Sequence, residues 1–161
     1  MFQIETEKQL LNSFRPRDRK HVELPKGVKF PLYVPDYLAW TEQSGLRVFV
    51  VFARPGSRTP IGIAFRREQG EKGLAARVCD WCNSYGSGLE IGLMLADLNS
   101  KHRVGLGLCL DLRCREKIEQ ATNLAGRSPV ELSHQLLERM YRFANEGLGI
   151  EAGVEMAEEE A

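Results

Sequence analysis

The sequence predicts an α+β fold, an antiparallel β-sheet meander with flanking helices. Three observations predict it. β-branched and aromatic residues concentrate between positions 46 and 108, in short runs separated by turn residues. Helix-capping signals stand toward both ends of the chain, and all four cysteines fall into two close pairs, each placed where a strand run ends. With 161 residues, 43% of them hydrophobic and 27% charged, the chain suffices for one packed domain, is too short for two ordinary ones, and is not globally disordered. A domain of about this length buries about two-thirds of the surface its unfolded chain exposes, so a bound metal would fix local geometry rather than hold the whole fold.

Taken in order, Thr6-Glu7-Lys8-Gln9 reads as a capping box with Thr6 as N-cap. Leu10, Leu11 and Phe14 then share a helical face, and Pro16 ends this short first helix. Residues 15–36 form a basic connector whose prolines at 16, 25, 31 and 35 exclude a long helix. Leu46–Ala53 (LRVFVVFA) reads as a buried strand and Pro55-Gly56-Ser57 as a turn, with Ile61–Arg67 returning as a second strand. A turn at Gly70 to Gly73 leads to a third strand over Leu74–Cys79. Leu89–Asp97 and Val104–Leu108 make a further pair, joined by Asn99-Ser100-Lys101-His102-Arg103. This is a meander, not a series of βαβ units.

A helix then starts near Asp111 as N-cap, runs to about Asn123 and ends at Gly126. The last helix has Ser128 as N-cap, Pro129 at its first position and Glu131 three residues after the cap. Val130, Leu137, Met140, Tyr141 and Ala144 give it an apolar stripe, and Gly147 stops it. The expected domain spans 1–147, and 148–161 is expected to be an acidic, disordered tail.

Formal charge is zero, 22 basic against 22 acidic, but residues 146–161 hold six glutamates and no cation. Residues 1–145 therefore carry 22 basic against 16 acidic groups, a net +6. Zinc held by four thiolates would add about −2, leaving a mildly basic body. The start MFQIETEKQLLNSF lacks a basic segment followed by an apolar core, and apolar runs such as Val48–Ala53 fall far short of a membrane span. A cytoplasmic protein is expected, in which cysteines serve metals or redox chemistry rather than structural disulfides.

Cysteine spacing is the most specific signal. The pairs are Cys79-x2-Cys82 and Cys109-x4-Cys114. A tetrahedral zinc site takes four soft ligands at about 2.3 Å, delivered as two close pairs from separate segments. The stretch CDWCNSYGSG supplies a tight turn after a strand, and Cys114 falls in the first turn of a helix, whose dipole favours thiolate. Knuckle, hairpin and helix, in that order, make a treble-clef zinc finger. Three other readings compete. Small core cysteines would not pair without remainder, and a thioredoxin-like redox motif would open a helix rather than follow a strand. Iron–sulfur ligation by four cysteines remains as an alternative, without the clustered spacing of ferredoxins. One structural Zn2+ on Cys79, Cys82, Cys109 and Cys114 is the favoured reading. Four cysteines close the coordination shell, and the His-x-Glu or Cys-x-Glu partner of a zinc deaminase is lacking, so no enzyme is expected.

Tyr37-Leu38-Ala39-Trp40, the strand pair around Val48–Arg67, Cys79-Asp80-Trp81-Cys82 and the stretch from Gly105 to Cys114 together resemble one family. It is the treble-clef zinc-finger (FBP) domain of FusB-type elongation-factor-G-binding proteins, and the resemblance covers about residues 4–145. Its most specific part is the Cys-x-Asp-Leu-x-Cys signature from Cys109 to Cys114, with Gly105 and Gly107 ahead of it. It implies a non-enzymatic protein that grips elongation factor G through the zinc-finger surface and promotes its release from the ribosome. The resemblance carries the zinc ligands over directly. It places the contact surface on Asp80 and Trp81 of the knuckle, on Ser100, Lys101, His102 and Arg103 of the hairpin tip, and on the later helix at Leu124. The resistance proteins carry a helical domain ahead of this one, where this chain has one short helix.

The alternative is a zinc-stabilised RNA- or ribosome-binding module using the basic hairpin Lys101-His102-Arg103, against the plain reading of a solvated turn. Arg113, Arg115 and either Arg66 or Arg67 are candidates to extend that patch; the last two point to opposite faces of a regular strand, so at most one of them joins it. Binding that tolerates salt and fails on Trp81→Ala would favour a protein partner. His21 and His134 have no partners at ligand spacing, Gly105-x-Gly107 is no nucleotide loop, and no nucleophile constellation or small-molecule site is evident.

Overall fold

A five-stranded antiparallel sheet organises the molecule in this computed structural model, which describes residues 1–68, 76–126 and 128–150, with the side chains of 122–125 outside the described set. Strands β1 (Phe2–Ile4), β2 (Leu32–Val34), β3 (Tyr37–Thr41), β4 (Arg47–Phe52), β5 (Ile61–Arg67), β6 (Arg77–Val78), β7 (Tyr85–Gly86), β8 (Ile91–Asp97) and β9 (Arg103–Cys109) alternate with helices α1 (Glu7–Asn12), α2 (Pro16–Arg19), α3 (Cys114–Ala125) and α4 (Pro129–Arg142). The main sheet has the order β3-β4-β5-β8-β9, so the meander stands, with β6 and β7 inserted as a separate two-stranded ribbon. β1 and β2 form a second small ribbon. Among the described residues no helix is long and apolar enough to cross a membrane.

β4 explains why the sheet is covered on both faces. Its side chains alternate between two cores: Val48, Val50 and Phe52 join α4 and the thiol cluster, while Phe49 and Val51 join Leu10 and Phe14 from α1 and the turn after it. Thr6 Oγ1 accepts the Gln9 N–H at 3.1 Å, as the capping box requires, and places Leu10 and Phe14 on the second core. Gly62 is obligatory beneath them, because a Cβ there would lie 2.7 Å from the Phe14 ring.

On the other face α4 contributes Leu136, Leu137 and Met140, and its N-terminus is the Ser128 cap that the sequence predicts, with Ser128 Oγ accepting the Glu131 N–H at 3.4 Å. Val130, assigned to the apolar stripe, is 67% exposed and takes no part in the core.

Several expectations change. The third strand shrinks to Arg77–Val78, which pairs with Tyr85–Gly86 and not with the main sheet; Leu74 and Ala75 lie outside the described residues. The connector holds one helical turn and β2, and β1 and β3 are strands that the sequence reading did not mark. α3 starts at Cys114, because Asp111 accepts the Arg113 N–H at 3.0 Å and closes a turn ahead of the helix. Gly147 does not end the folded body. A π turn over Phe143–Gly147 carries the chain on to Leu148 and Ile150, both buried in the core facing α4, and the Ile150 N–H donates to Ala144 O at 2.9 Å. The assigned tail therefore begins too early, and its remaining part, 151–161, lies outside the described residues.

Candidate metal centre

Two turns deliver the four thiols. In the first, between β6 and β7, the Cys79 N–H donates to Ser84 O at 3.0 Å and the Asn83 N–H to Cys79 O at 2.8 Å. The second of these bonds closes the turn that holds Cys82 beside Cys79, and Asn83 takes the left-handed conformation at φ 61°, which asparagine tolerates and which sends the chain back along β7 so that Ser84 O meets Cys79. In the second turn, after β9, the Leu112 N–H donates to Cys109 O at 3.0 Å. Leu112 is left-handed at φ 53° and its side chain is buried, so apolar packing holds a backbone conformation that leucine disfavours.

The Cys79 and Cys114 Sγ atoms lie 3.8 Å apart, those of Cys82 and Cys109 3.7 Å, and all four lie within 4.8 Å of one another. A disulfide would bring sulfurs to about 2.05 Å, whereas four sulfurs at about 2.3 Å from a common centre sit about 3.8 Å from each other. The observed spacing is that of a tetrahedral zinc site. Cys79, Cys109 and Cys114 are buried and Cys82 is half-buried. Four protein sulfurs fill a tetrahedral shell and leave no position for water or substrate, which marks a structural centre.

Without a metal the thiols share protons unequally. Hydrogen bonds from Cys109, Cys114 and Cys79 hold Cys82 below the ordinary thiol range, and hydrogen bonds from Cys109 and Cys114 lower Cys79 to about 7. Cys114 is pushed up by its hydrogen bonds to Cys109, Cys79 and Cys82, and by burial. Loading all four sulfurs as thiolates therefore releases protons.

Around the sulfurs stand residues that the cysteine spacing did not reveal. Lys117 Nζ donates to Cys109 Sγ at 3.2 Å and offsets part of the net negative charge of a zinc tetrathiolate. Burial works against the Lys117 ammonium, but its hydrogen bond to Cys109 raises it overall. It lies three residues after Cys114 on α3, so helical spacing was the signal for it. Tyr37, on edge strand β3, donates from its hydroxyl to Leu112 O at 2.5 Å and accepts the Arg115 N–H at 3.1 Å, clamping the second turn to the sheet. Burial pushes the Tyr37 hydroxyl up. Arg115 lies over the Tyr37 ring and grips the Asp36 carboxylate with two nitrogens.

Among the described side chains, the contact residues that the resemblance implies do not form one face. Asp80 is exposed but tied to β9, its N–H donating to Gly107 O at 2.8 Å and its Oδ2 accepting the Gly107 N–H at 2.9 Å. Trp81 is 2% exposed, and its ring packs edge-on to Phe65 and Phe143 at 5.6 and 6.4 Å. It anchors the knuckle to the core and has no open ring face for a partner. Ser100, Lys101, His102 and Arg103 are exposed at the far end of β9, about 20 Å from Cys109 for six residues of strand. Leu124 lies on α3, with its side chain outside the described residues. Arg67 and Arg115 are committed to Leu110 O and to Asp36 and cannot extend a basic patch from the tip.

The family model of the FBP C-terminal treble-clef zinc-finger matches residues 5–147. Among solved structures, the fusidic acid resistance protein FusC is similar at 20% identity with a TM-score of 0.48, over 78% of this chain and 56% of its own. The chain thus spans a little over half the length of that protein. No curated protein matches the sequence. With four thiols at tetrahedral spacing on a knuckle, a hairpin end and a helix start, and with that family matched from residue 5 to residue 147, the chain belongs to the FBP C-terminal treble-clef zinc-finger family, and its four cysteines form one zinc-binding site.

Proposed function

We propose that this FusB-type zinc-binding protein is a non-enzymatic cytoplasmic binder of elongation factor G that acts through the surface around its zinc finger and modulates release of the factor from the ribosome. Family membership over residues 5–147 is the observation that carries the reading. The closed four-sulfur shell agrees with it, since a metal held there supplies cross-linking and no open coordination position.

Apolar side chains exposed near the thiols supply the contact. Val78 and Tyr85 are cross-strand partners and so share a face of the β6–β7 ribbon, at 44% and 78% exposure. Leu89, in the turn after the ribbon, and Leu93 are exposed too, and Leu93 is the cross-strand partner of Gly107, against which the ribbon packs. An exposed tyrosine beside aliphatic side chains is the composition of a protein-binding hot spot. Because Trp81 is in the core, Tyr85→Ala replaces Trp81→Ala as the informative variant.

The test is titration calorimetry of the zinc-loaded protein with purified elongation factor G at low and high salt, with ribosome sedimentation as a second readout. The expected result is binding that survives high salt and weakens at least tenfold in Tyr85→Ala with an unchanged melting temperature. Absence of binding at tens of micromolar protein would refute the proposal.

A further inference from the structure

We infer that the end of the sheet opposite the thiol cluster is a binding face for the phosphodiester backbone of RNA. Two like charges are paired in register at this end of the sheet. Arg47 and Arg66 stand directly opposite each other on β4 and β5, an arrangement that costs stability in a sheet unless the charges are used. Arg47 has Glu42 at 3.6 Å, whereas the Arg66 guanidinium has no hydrogen bond or ion pair among the described residues. Arg66 lines a cleft of about 220 Å³ together with Asp18, His21, Arg47 and Asp97.

The cleft's two carboxylates are already neutralised. Asp18 accepts from Arg15 Nε at 2.9 Å, and Asp97 pairs with Arg103 Nε at 3.3 Å. Arg15 also donates to Asp97 O, which ties α2 to the root of the β8–β9 hairpin. Around this junction Arg17 and Lys20 on and after α2, and Lys101 at the hairpin tip, are exposed; Lys20 and Lys101 have no acidic partner among the described residues, and Arg17 acts only through charge on Asp18, which Arg15 already holds. Asn99 Oδ1 accepts the N–H groups of Lys101 and His102, both at 2.9 Å, so the tip is a fixed turn rather than a free loop. Arg66 thus lines the cleft without a partner among the described residues, and Arg17, Lys20 and Lys101 stand exposed on the two neighbouring elements that the buried Arg15 ties together.

The occupant follows from chemistry. The apolar anchors Val78, Tyr85 and Leu89 lie toward the thiol end, and this end presents cations with Leu98 as its exposed aliphatic neighbour. A surface rich in cations and poor in aromatic anchors suits a polyanion, whose released counterions drive binding, better than a protein hot spot. The choice of RNA over DNA rests on the proposal that the protein works at the ribosome; the cationic face itself does not.

Fluorescence anisotropy with a labelled 20-nucleotide single-stranded RNA, and DNA of the same sequence, in 50 to 300 mM salt provides the test. Four phosphate contacts give a slope of about −3 in log K against log salt, at about 0.7 per phosphate on a single strand. The variant Arg17→Gln/Lys20→Gln/Lys101→Gln should bind RNA at least tenfold more weakly at 50 mM salt and reduce the slope by about 2. Arg66→Gln should also weaken RNA binding while keeping or raising the melting temperature, because it relieves the repulsion with Arg47; a purely structural Arg66 would lower it. Tyr85→Ala should leave RNA binding unchanged. Absence of RNA binding at 50 mM salt, an unchanged slope in the triple variant, or preference for DNA would overturn the inference. Loss of elongation factor G binding in the triple variant without any RNA binding would assign the face to a protein partner and overturn it too. Intact elongation factor G binding with no RNA binding would leave the proposed function standing and this inference refuted.

Discussion

Replacing Lys117 by methionine removes one charge beside the metal site while keeping the length of the side chain. The ammonium lies 3.2 Å from Cys109 Sγ, and a zinc tetrathiolate carries a net charge of about −2 spread over four sulfurs. One unit of opposite charge at that distance is worth about 1.3 kcal/mol in bulk water and about 5 kcal/mol at an effective dielectric of 20. Lys117 is only half-buried, so solvent screening pulls the figure toward the lower bound. The expected loss is about 1.5 kcal/mol, about tenfold in zinc affinity, at the low end of the 10- to 100-fold typical for partners of metal ligands. The assay is competition for zinc against a chromophoric chelator at pH 7.5, for wild type, Lys117→Met and Lys117→Arg. Lys117→Arg should stay within about threefold of wild type, and added salt should shrink the Lys117→Met effect. A Lys117→Met affinity within twofold of wild type would show that the contact does not support the site.

Cys109→Ser should weaken zinc binding and raise amide exchange in β6, β7, the end of β9 and the start of α3, while β4 and β5, buried between two cores, stay protected; uniform loss of protection would make the metal the keystone of the whole fold. Zinc affinity should rise from pH 6 to pH 8, because Cys114 holds its proton above the ordinary thiol range and Cys79 titrates at about 7, and a flat profile would contradict the proton release. A chain ending at Gly147 should melt several degrees below one ending at Ile150, since it loses the buried side chains of Leu148 and Ile150 at about 1.5–3 kcal/mol each; equal melting would return both residues to a solvated tail.

Much of the fold was legible because its signals are local. The capping box at Thr6 and the Ser128-Pro129 start depend on residues three apart and appear in the structure as hydrogen bonds from Gln9 and Glu131. The run RVFVVF needs burial on both faces wherever it folds, and β4 has it. What failed depends on partners distant in sequence. Phe2–Ile4 is a strand because Leu32–Val34 lies beside it, and neither triplet is long enough to declare itself. Leu74–Cys79 carries strand-forming residues, but from Arg77 onward the chain must turn through the knuckle, so among its described residues the ribbon takes two and the main sheet none.

The metal ligands and the contact surface differed in legibility for the same reason. Four sulfurs around one ion must come from short turns, so the coordination geometry leaves its mark on spacing, and Cys79, Cys82, Cys109 and Cys114 converge as their spacing implies. A contact residue has no such mark, because exposure is settled by the tertiary fold. Trp81 and Tyr85 lie four residues apart in one knuckle, both aromatic, and either could anchor a partner on composition alone. Trp81 follows Cys79 into the turn and is drawn between Phe65 and Phe143, with its carbonyl held by Arg139 Nη1 at 2.7 Å. Tyr85 has already left the turn and pairs with Val78, so its ring stands outward. Substituting Trp81 would test the fold and substituting Tyr85 would test the function, a distinction made by the turn at Asn83 that separates them.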